Sequence, residues 1–130
     1  MAGEARLKGC RVLVVEDDWF IASYVSDALE HAGATVVGPV ATAPEALELL
    51  EGGPSPAAAT LNVTLLDGDS MPVARRLAEM GVPFLFLSAK TGAALPPDMA
   101  LRPRLEKLFA AYQVVEAVGA MAQPVAADGR

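Results

Sequence analysis

The chain is poor in histidine and cysteine, with one of each, His31 and Cys10. A lone Cys10 cannot form an intramolecular disulfide, so we expect a small, buried or half-buried residue just before the first strand. With His31 as the only histidine, no Ser–His or Cys–His pair for nucleophilic catalysis is evident. His31 stands near the end of a helical segment, where we expect a solvated cation.

The chain also lacks basic runs and long apolar runs. Its net charge is −6, and no lysine or arginine cluster occurs, which argues against non-specific binding to nucleic acid. The first apolar run is short and ends in acidic residues, unlike a signal peptide, and no run approaches the roughly 20 residues that span a bilayer. We therefore expect a cytoplasmic protein with neither a nucleic-acid partner nor a membrane partner.

The composition fits one folded domain. The chain has 130 residues, of which 53% are hydrophobic and 20% are charged, enough to build a single core. No linker or internal repeat is visible. We expect a domain over residues 9–121 and a disordered tail over residues 122–130.

Apolar segments with many β-branched residues alternate with helical patterns. Such alternation with short connections implies parallel crossovers, and hence a doubly wound five-stranded parallel sheet of α/β class, in the flavodoxin-like order 2-1-3-4-5. Gly92, Pro96 and Pro97 interrupt the region Lys90–Arg102, so the fourth helix should be short or absent. The predicted strands are Arg11–Val15, Thr35–Val40, Ala59–Leu65, Val82–Ser88 and Leu105–Leu108.

An acidic cluster ends the first strand. Val12-Leu13-Val14-Val15 is followed at once by Glu16, Asp17 and Asp18. Like charges so close repel each other unless a cation or a donor lies among them, and ligands of open α/β sheets bind at the carboxyl ends of strands. Glu16 and Asp17 therefore predict a hard-cation site, for which Mg²⁺ is the best candidate, while Asp18 is suited to cap the first helix.

These features resemble the receiver domain of two-component response regulators. The resemblance covers about residues 9–120 and depends on the Val-Leu-Val-Val-Glu-Asp-Asp segment at 12–18, on Ser88 at the end of the fourth strand and on Lys107. In that family an acidic pair binds Mg²⁺, and an Asp at the end of the third strand takes a phosphoryl group from a histidine kinase. A Ser or Thr and a Lys then contact the phosphoryl oxygens.

The resemblance assigns a role to each matching position. Glu16 and Asp17 match the acidic pair, Thr64 matches the residue whose main-chain carbonyl completes the metal site, and Ser88 and Lys107 match the switch hydroxyl and the lysine. Asn62 falls on the phosphoacceptor position. The neutral amide of Asn is not a nucleophile comparable to a carboxylate, although it can form hydrogen bonds and ligate a cation weakly. Mg²⁺ binding is thus expected to be weakened by Asn62.

A second register would place Asp67 at the acceptor position, because Leu65-Leu66-Asp67 superficially resembles the third strand of the family. Spacing favours Asn62, since Asp67 leaves little room for a loop, a helix and a strand before Ser88. The segment from Leu61 to Asp69 also resembles a receiver subgroup that reads Leu-Asp-Val-Asn-Leu. That subgroup has a poorly formed fourth helix and often works with kinases of general-stress and light pathways.

Two positions depart from the family pattern. Leu108 follows Lys107 where the family usually has proline, and a cis bond without proline costs about 2.5–4 kcal/mol, so we expect the loop to take a different path. Arg104 falls where an aromatic switch residue is often found. We therefore expect the signalling surface next to the fifth strand to differ from that of the family.

The resemblance leads to a functional hypothesis. We expect a single-domain, phosphorylation-incompetent pseudo-receiver in phosphorelay signalling, which is not an enzyme and acts through a histidine kinase, a phosphotransferase or another signalling protein, with a homodimer also possible. One alternative is a receiver that is phosphorylated on Asp67 or on the acidic pair. The other is a small Mg²⁺-dependent phosphoryl-handling enzyme, which the absence of a Gly-rich phosphate loop disfavours.

Overall fold

The computed structural model describes residues 6–88 and 95–122, in which strands and helices alternate along the chain. The strands are β1 (Arg11–Val15), β2 (Thr35–Val40), β3 (Ala58–Asn62), β4 (Thr64–Leu65), β5 (Gly68–Asp69), β6 (Phe84–Ser88) and β7 (Arg104–Glu106). The helices are α1 (Trp19–His31), α2 (Ala43–Gly52), α3 (Met71–Met80) and α4 (Ala111–Met121), with a 3₁₀ turn at Pro97–Met99.

Five strands form one parallel sheet in the order β2-β1-β3-β6-β7. Counted by its five main strands, this is the 2-1-3-4-5 order that the sequence predicts, so the expected fold class is confirmed. The central strands β3 and β6 are buried along their whole length. Their continuous burial follows from having helices on both faces of the sheet.

The core lies in two layers, one on each face of the sheet. On one face, α1 and α4 pack over a cluster that includes Leu29, Leu85 and Val114. On the other face, α2 and α3 cover a cluster that includes Leu50, Leu77 and Phe86. In open α/β sheets of this kind, ligands bind at the carboxyl edge of the sheet.

Local sequence signals set the helix ends. The Asp18 carboxylate accepts hydrogen bonds from the backbone N–H groups of Phe20 and Ile21, which makes it the predicted N-cap of α1. Thr42 accepts from the N–H of Glu45 and caps α2 in the same way. Gly81 ends α3 with φ +74°, a left-handed conformation that glycine adopts without steric cost.

The third strand is shorter than predicted. The apolar run Ala59–Leu65 suggests one strand, but β3 ends at Asn62, and β4 and β5 then form a separate antiparallel hairpin. The predicted strand is too long because one long strand and a strand followed by a hairpin give the same apolar run in the sequence. Leu65 is buried in the hairpin, whereas Leu66 at its turn is 73% exposed.

The last strand and the last helix begin at other residues than predicted. The last sheet strand covers Arg104–Glu106 rather than Leu105–Leu108, and α4 begins at Ala111 rather than at Phe109. Ala110 is extended and its N–H donates to the side chain of Gln113, which fixes the start of α4.

Parts of two predictions fall on residues that the structure does not describe. In the predicted irregular region Lys90–Arg102, residues 90–94 lie outside the described residues, and the rest contains only the 3₁₀ turn. Within the predicted tail, Ala122 is buried, and residues 123–130 lie outside the described part of the chain. No helix in residues 6–88 and 95–122 is both long enough and apolar enough to span a bilayer.

Candidate functional site

The carboxyl ends of four parallel strands bring the predicted site residues to one edge of the sheet. Glu16 follows β1, Asn62 ends β3, Ser88 ends β6 and Lys107 follows β7. Strand register sets their relative heights, with Asn62 opposite Leu87 and Ser88 opposite Glu106. Residues far apart in sequence are therefore placed side by side by the sheet itself.

Asn62 bridges the two acidic side chains. Its Nδ2 donates to Glu16 Oε2 at 3.0 Å and to Asp17 Oδ1 at 2.9 Å. A carboxylate only accepts hydrogen bonds, whereas the amide NH₂ group has two hydrogens to donate, so both donors of Asn62 are directed at the acidic pair. Asn62 is buried, with 8% of its surface exposed.

Glu16 is the buried charge of the site, with 3% of its surface exposed. Burial raises its pKa because the charged form loses its hydration. The pKa is lowered by the Asp18 N–H, which donates to Oε2 at 3.0 Å, and by Lys107. The charge of Asp17 raises it. The net direction is a pKa above the ordinary glutamate value. The protein thus holds this carboxylate at a cost that neighbouring donors partly offset.

Lys107 supplies the positive charge beside Glu16. Its Nζ lies 3.4 Å from both Oε1 and Oε2 of Glu16. The backbone N–H of Lys107 also donates to the carbonyl of Ser88 at 2.6 Å, which extends the pairing of β6 with β7 past its last residue. The lysine is therefore anchored to the sheet through its backbone while its side chain reaches across to β1.

The peptide bond after Lys107 differs from the prediction. The absence of proline predicts that the loop after Lys107 avoids the cis form, but the Lys107–Leu108 peptide bond is cis. The prediction was wrong because it considered only the preference of an isolated bond. In the folded chain, contacts with Ser88 and Glu16 fix the position of Lys107, whose carbonyl group forms this bond.

Ser88 makes a contact that the sequence did not reveal. Arg104 Nε donates to Ser88 Oγ at 3.0 Å, and the Ser88 side chain is buried. In the sequence, Arg104 is only a departure from the aromatic residue that is usual at this position. The pairing of β6 with β7 places Arg104 opposite Phe86, two residues before Ser88, and a long side chain reaches that distance along the strand.

Two further predicted positions lie in the hairpin after β3. Thr64 is in β4, paired with Asp69, and its side chain is exposed. Asp67 lies in the exposed turn between β4 and β5, whereas Asn62 is the residue whose side chain contacts the acidic pair. Asp69 accepts from the N–H of Met71 and so holds the start of α3.

The donor set does not fit a tightly bound Mg²⁺. This cation requires oxygen ligands in near-octahedral geometry, and the two carboxylates nearest to the site are bonded to the nitrogen of Asn62. Within residues 6–88 and 95–122, no group of three or more His, Cys, Asp or Glu side chains could hold a metal ion.

Comparison with known proteins identifies the family. No family model matches the chain. The chain is 36% identical to SdrG from Sphingomonas melonis Fr1, a solved structure on which it superposes with a TM-score of 0.76, covering 89% of this chain and 97% of SdrG. It is 25% identical to the response regulator PhyR from Brucella abortus, with a TM-score of 0.71, covering 98% of this chain and 53% of PhyR.

A curated relative gives the same result over part of its length. The chain is 35% identical over 104 residues to the sensor protein TorS of Escherichia coli (strain K12), which covers 80% of this chain and 11% of TorS. It thus spans about a ninth of the length of that relative. The chain belongs to the receiver domains of response regulators, which act in two-component signalling. Such domains are typically non-enzymatic, generally bind Mg²⁺, and interact with histidine kinases or other signalling proteins.

Proposed function

We propose that this chain is a pseudo-receiver, which accepts no phosphoryl group and acts by binding a histidine kinase, a phosphotransferase or another signalling protein. The observation that carries the proposal is the position of Asn62. Its amide lies against Glu16 and Asp17 at the end of β3, where a receiver needs a nucleophilic carboxylate. An amide oxygen or nitrogen does not form the acyl phosphate that an aspartate forms.

The conformation of the site supports constitutive binding. Asn62 contacts both acidic side chains, Lys107 contacts Glu16, and Ser88 accepts a hydrogen bond from Arg104. A ligand shifts a conformational equilibrium only through its different affinities for the two states. With no acyl phosphate formed, we expect the binding of a partner protein to select the state.

An apolar surface around the site offers a place for such a partner. Four large apolar side chains on the segments that follow β1, β3 and β7 are exposed: Trp19 by 78%, Phe20 by 69%, Leu66 by 73% and Leu108 by 98%. Exposed apolar residues grouped near one edge of a domain favour a protein interface over a purely solvated face. The same edge carries the polar site, so a bound partner would contact both.

Intact mass after incubation with acetyl phosphate and Mg²⁺ tests the proposal. The wild-type chain is expected to gain no stoichiometric phosphoryl adduct. An adduct that is cleaved by hydroxylamine, as an acyl phosphate is, would overturn the proposal.

Variants distinguish the alternatives. If the wild type gains an adduct that Asp67→Asn abolishes, the chain is a receiver that uses the exposed Asp67. If it instead hydrolyses a simple phosphoester in the presence of Mg²⁺, with loss of turnover in Asp17→Asn, the enzymatic alternative replaces the pseudo-receiver.

A further inference from the structure

The acidic pocket poses an electrostatic problem that the fold must solve. Glu16 is nearly fully buried, and Asp17 beside it is half-buried. Two neighbouring carboxylates repel each other, and a buried charge without a partner is strongly destabilising. Some positive group must therefore lie between or beside them whenever both are ionised.

Asn62 occupies the position between the carboxylates. Its single Nδ2 atom is 3.0 Å from Glu16 Oε2 and 2.9 Å from Asp17 Oδ1, so one NH₂ group joins one oxygen of each acid. A bridging cation would make contact with the same two oxygens. The amide hydrogens carry partial positive charge and can act here as a weak, uncharged substitute.

Lys107 adds the full charge that an amide lacks. Glu16 Oε1 is buried and makes no hydrogen bond, but it lies 3.4 Å from the Lys107 ammonium, which is at the same distance from Oε2. The Asp18 N–H provides a further donor to Oε2. The carboxylate of Glu16 is thus surrounded by donors and a cation that all belong to the chain.

A divalent cation could enter only at the expense of these contacts. It would have to displace Asn62 Nδ2 from both carboxylates and then lie close to the Lys107 ammonium. Mg²⁺ gives up its hydration water reluctantly and is usually held by carboxylates rather than by neutral amides. The protein's own donors therefore compete directly with the metal.

We propose that the Asn62 amide, which lies beside the Lys107 ammonium, replaces the divalent cation of this pocket, so that the domain is stable and reaches its partner-binding state without metal. This inference deepens the proposed function and depends on it only for the role of the partner-binding state. It predicts that Asn62 stabilises the metal-free protein and that its removal creates a response to Mg²⁺.

Thermal unfolding at several Mg²⁺ concentrations and constant ionic strength tests this inference in four proteins. The wild-type midpoint should not change with Mg²⁺. Asn62→Asp adds a third carboxylate, so its metal-free midpoint should fall and then rise with Mg²⁺, corresponding to an affinity at least about tenfold tighter than that of the wild type. Asn62→Ala removes the donor without adding charge and should also be restored in part by Mg²⁺.

Gln113→Glu is the matched control. It makes the same amide-to-carboxylate change on α4, and the new side chain keeps the oxygen that accepts from the Ala110 N–H. Its midpoint should show no more Mg²⁺ dependence than that of the wild type. A shift in this control as large as that of Asn62→Asp would mean that added negative charge alone creates the response, and would overturn the inference.

Other outcomes also decide the matter. A wild-type midpoint that rises with Mg²⁺ as much as that of Asn62→Asp overturns the inference, as does an Asn62→Ala variant without any response. Because Asn62→Ala carries no extra charge, it keeps the test valid if Asn62→Asp does not fold without metal. A wild type that binds Mg²⁺ but takes no phosphoryl group would leave the proposed function standing, so the two failures are distinguishable.

Discussion

Replacing Lys107 by methionine should destabilise the domain by an amount that depends on pH. The substitution keeps most of the side-chain volume but removes the ammonium that lies 3.4 Å from both oxygens of Glu16. The Glu16 side chain is fully buried, so it cannot recover its hydration when its partner is lost. The variant therefore leaves a buried carboxylate with hydrogen-bond donors but without a neutralising charge.

The magnitude follows from the geometry of the pair. Removing one partner of a fully buried ion pair typically costs about 3–5 kcal/mol. Here the Lys107 side chain is 20% exposed, and Glu16 keeps the donors from Asp18 and Asn62. We therefore expect a loss of about 2–3 kcal/mol in the free energy of unfolding at neutral pH.

The pH dependence supplies a second signature. Burial already raises the pKa of Glu16, and Lys107 opposes that rise, so the pKa should rise further in Lys107→Met. Protonation of Glu16 removes the unpaired charge. The loss caused by the substitution should thus be largest at pH values above the raised pKa and should shrink as the pH falls through it.

Urea unfolding followed by circular dichroism measures both effects. Lys8→Met is the control, because Lys8 is an exposed lysine and its replacement should change stability by less than about 0.5 kcal/mol. A Lys107→Met variant that loses no more stability than Lys8→Met, or a loss that does not shrink as the pH is lowered, would refute the reasoning.

The remaining predictions concern Glu16 and a helix end. Burial raises the folded-state pKa of Glu16, so the folded chain binds this proton more readily than the unfolded chain. The stability of the wild type relative to Glu16→Gln should therefore increase as the pH falls through the raised pKa. A stability difference from urea unfolding that does not change with pH would contradict this. Gly81→Ala should lower the free energy of unfolding by about 1 kcal/mol, because Gly81 has φ +74°. Gly52→Ala should cause no loss in thermal unfolding, because a Cβ at Gly52 would meet open space. Equal effects of the two substitutions would contradict the explanation.

Much of the fold follows from the sequence because its signals are local and repeated. The strands β3 and β6 are buried along their whole length and mostly apolar, and Asp18, Thr42 and Gly81 mark helix ends by well-understood chemistry. Alternation of strands and helices then leaves few possible topologies. The hairpin after Asn62 could not be predicted in this way, because its two-residue strands are too short to have a period.

The sequence predicts which residues lie together at this edge of the sheet, but not how they contact one another. The ends of parallel strands necessarily meet at one edge, so Glu16, Asn62, Ser88 and Lys107 could be assigned to one place. Which atoms touch depends on side-chain directions that the sequence does not contain. The bridging position of Asn62 and the hydrogen bond from Arg104 to Ser88 emerge only from the packed structure.

The most direct test of the central claim compares the intact masses of the wild type and Asn62→Asp after incubation with acetyl phosphate and Mg²⁺. The substitution places a carboxylate beside Glu16 and Asp17 in a site that retains Ser88 and Lys107. We predict one hydroxylamine-sensitive phosphoryl group on Asn62→Asp and none on the wild type. An adduct on the wild type, or a folded Asn62→Asp that binds Mg²⁺ but takes no phosphoryl group, would contradict the account.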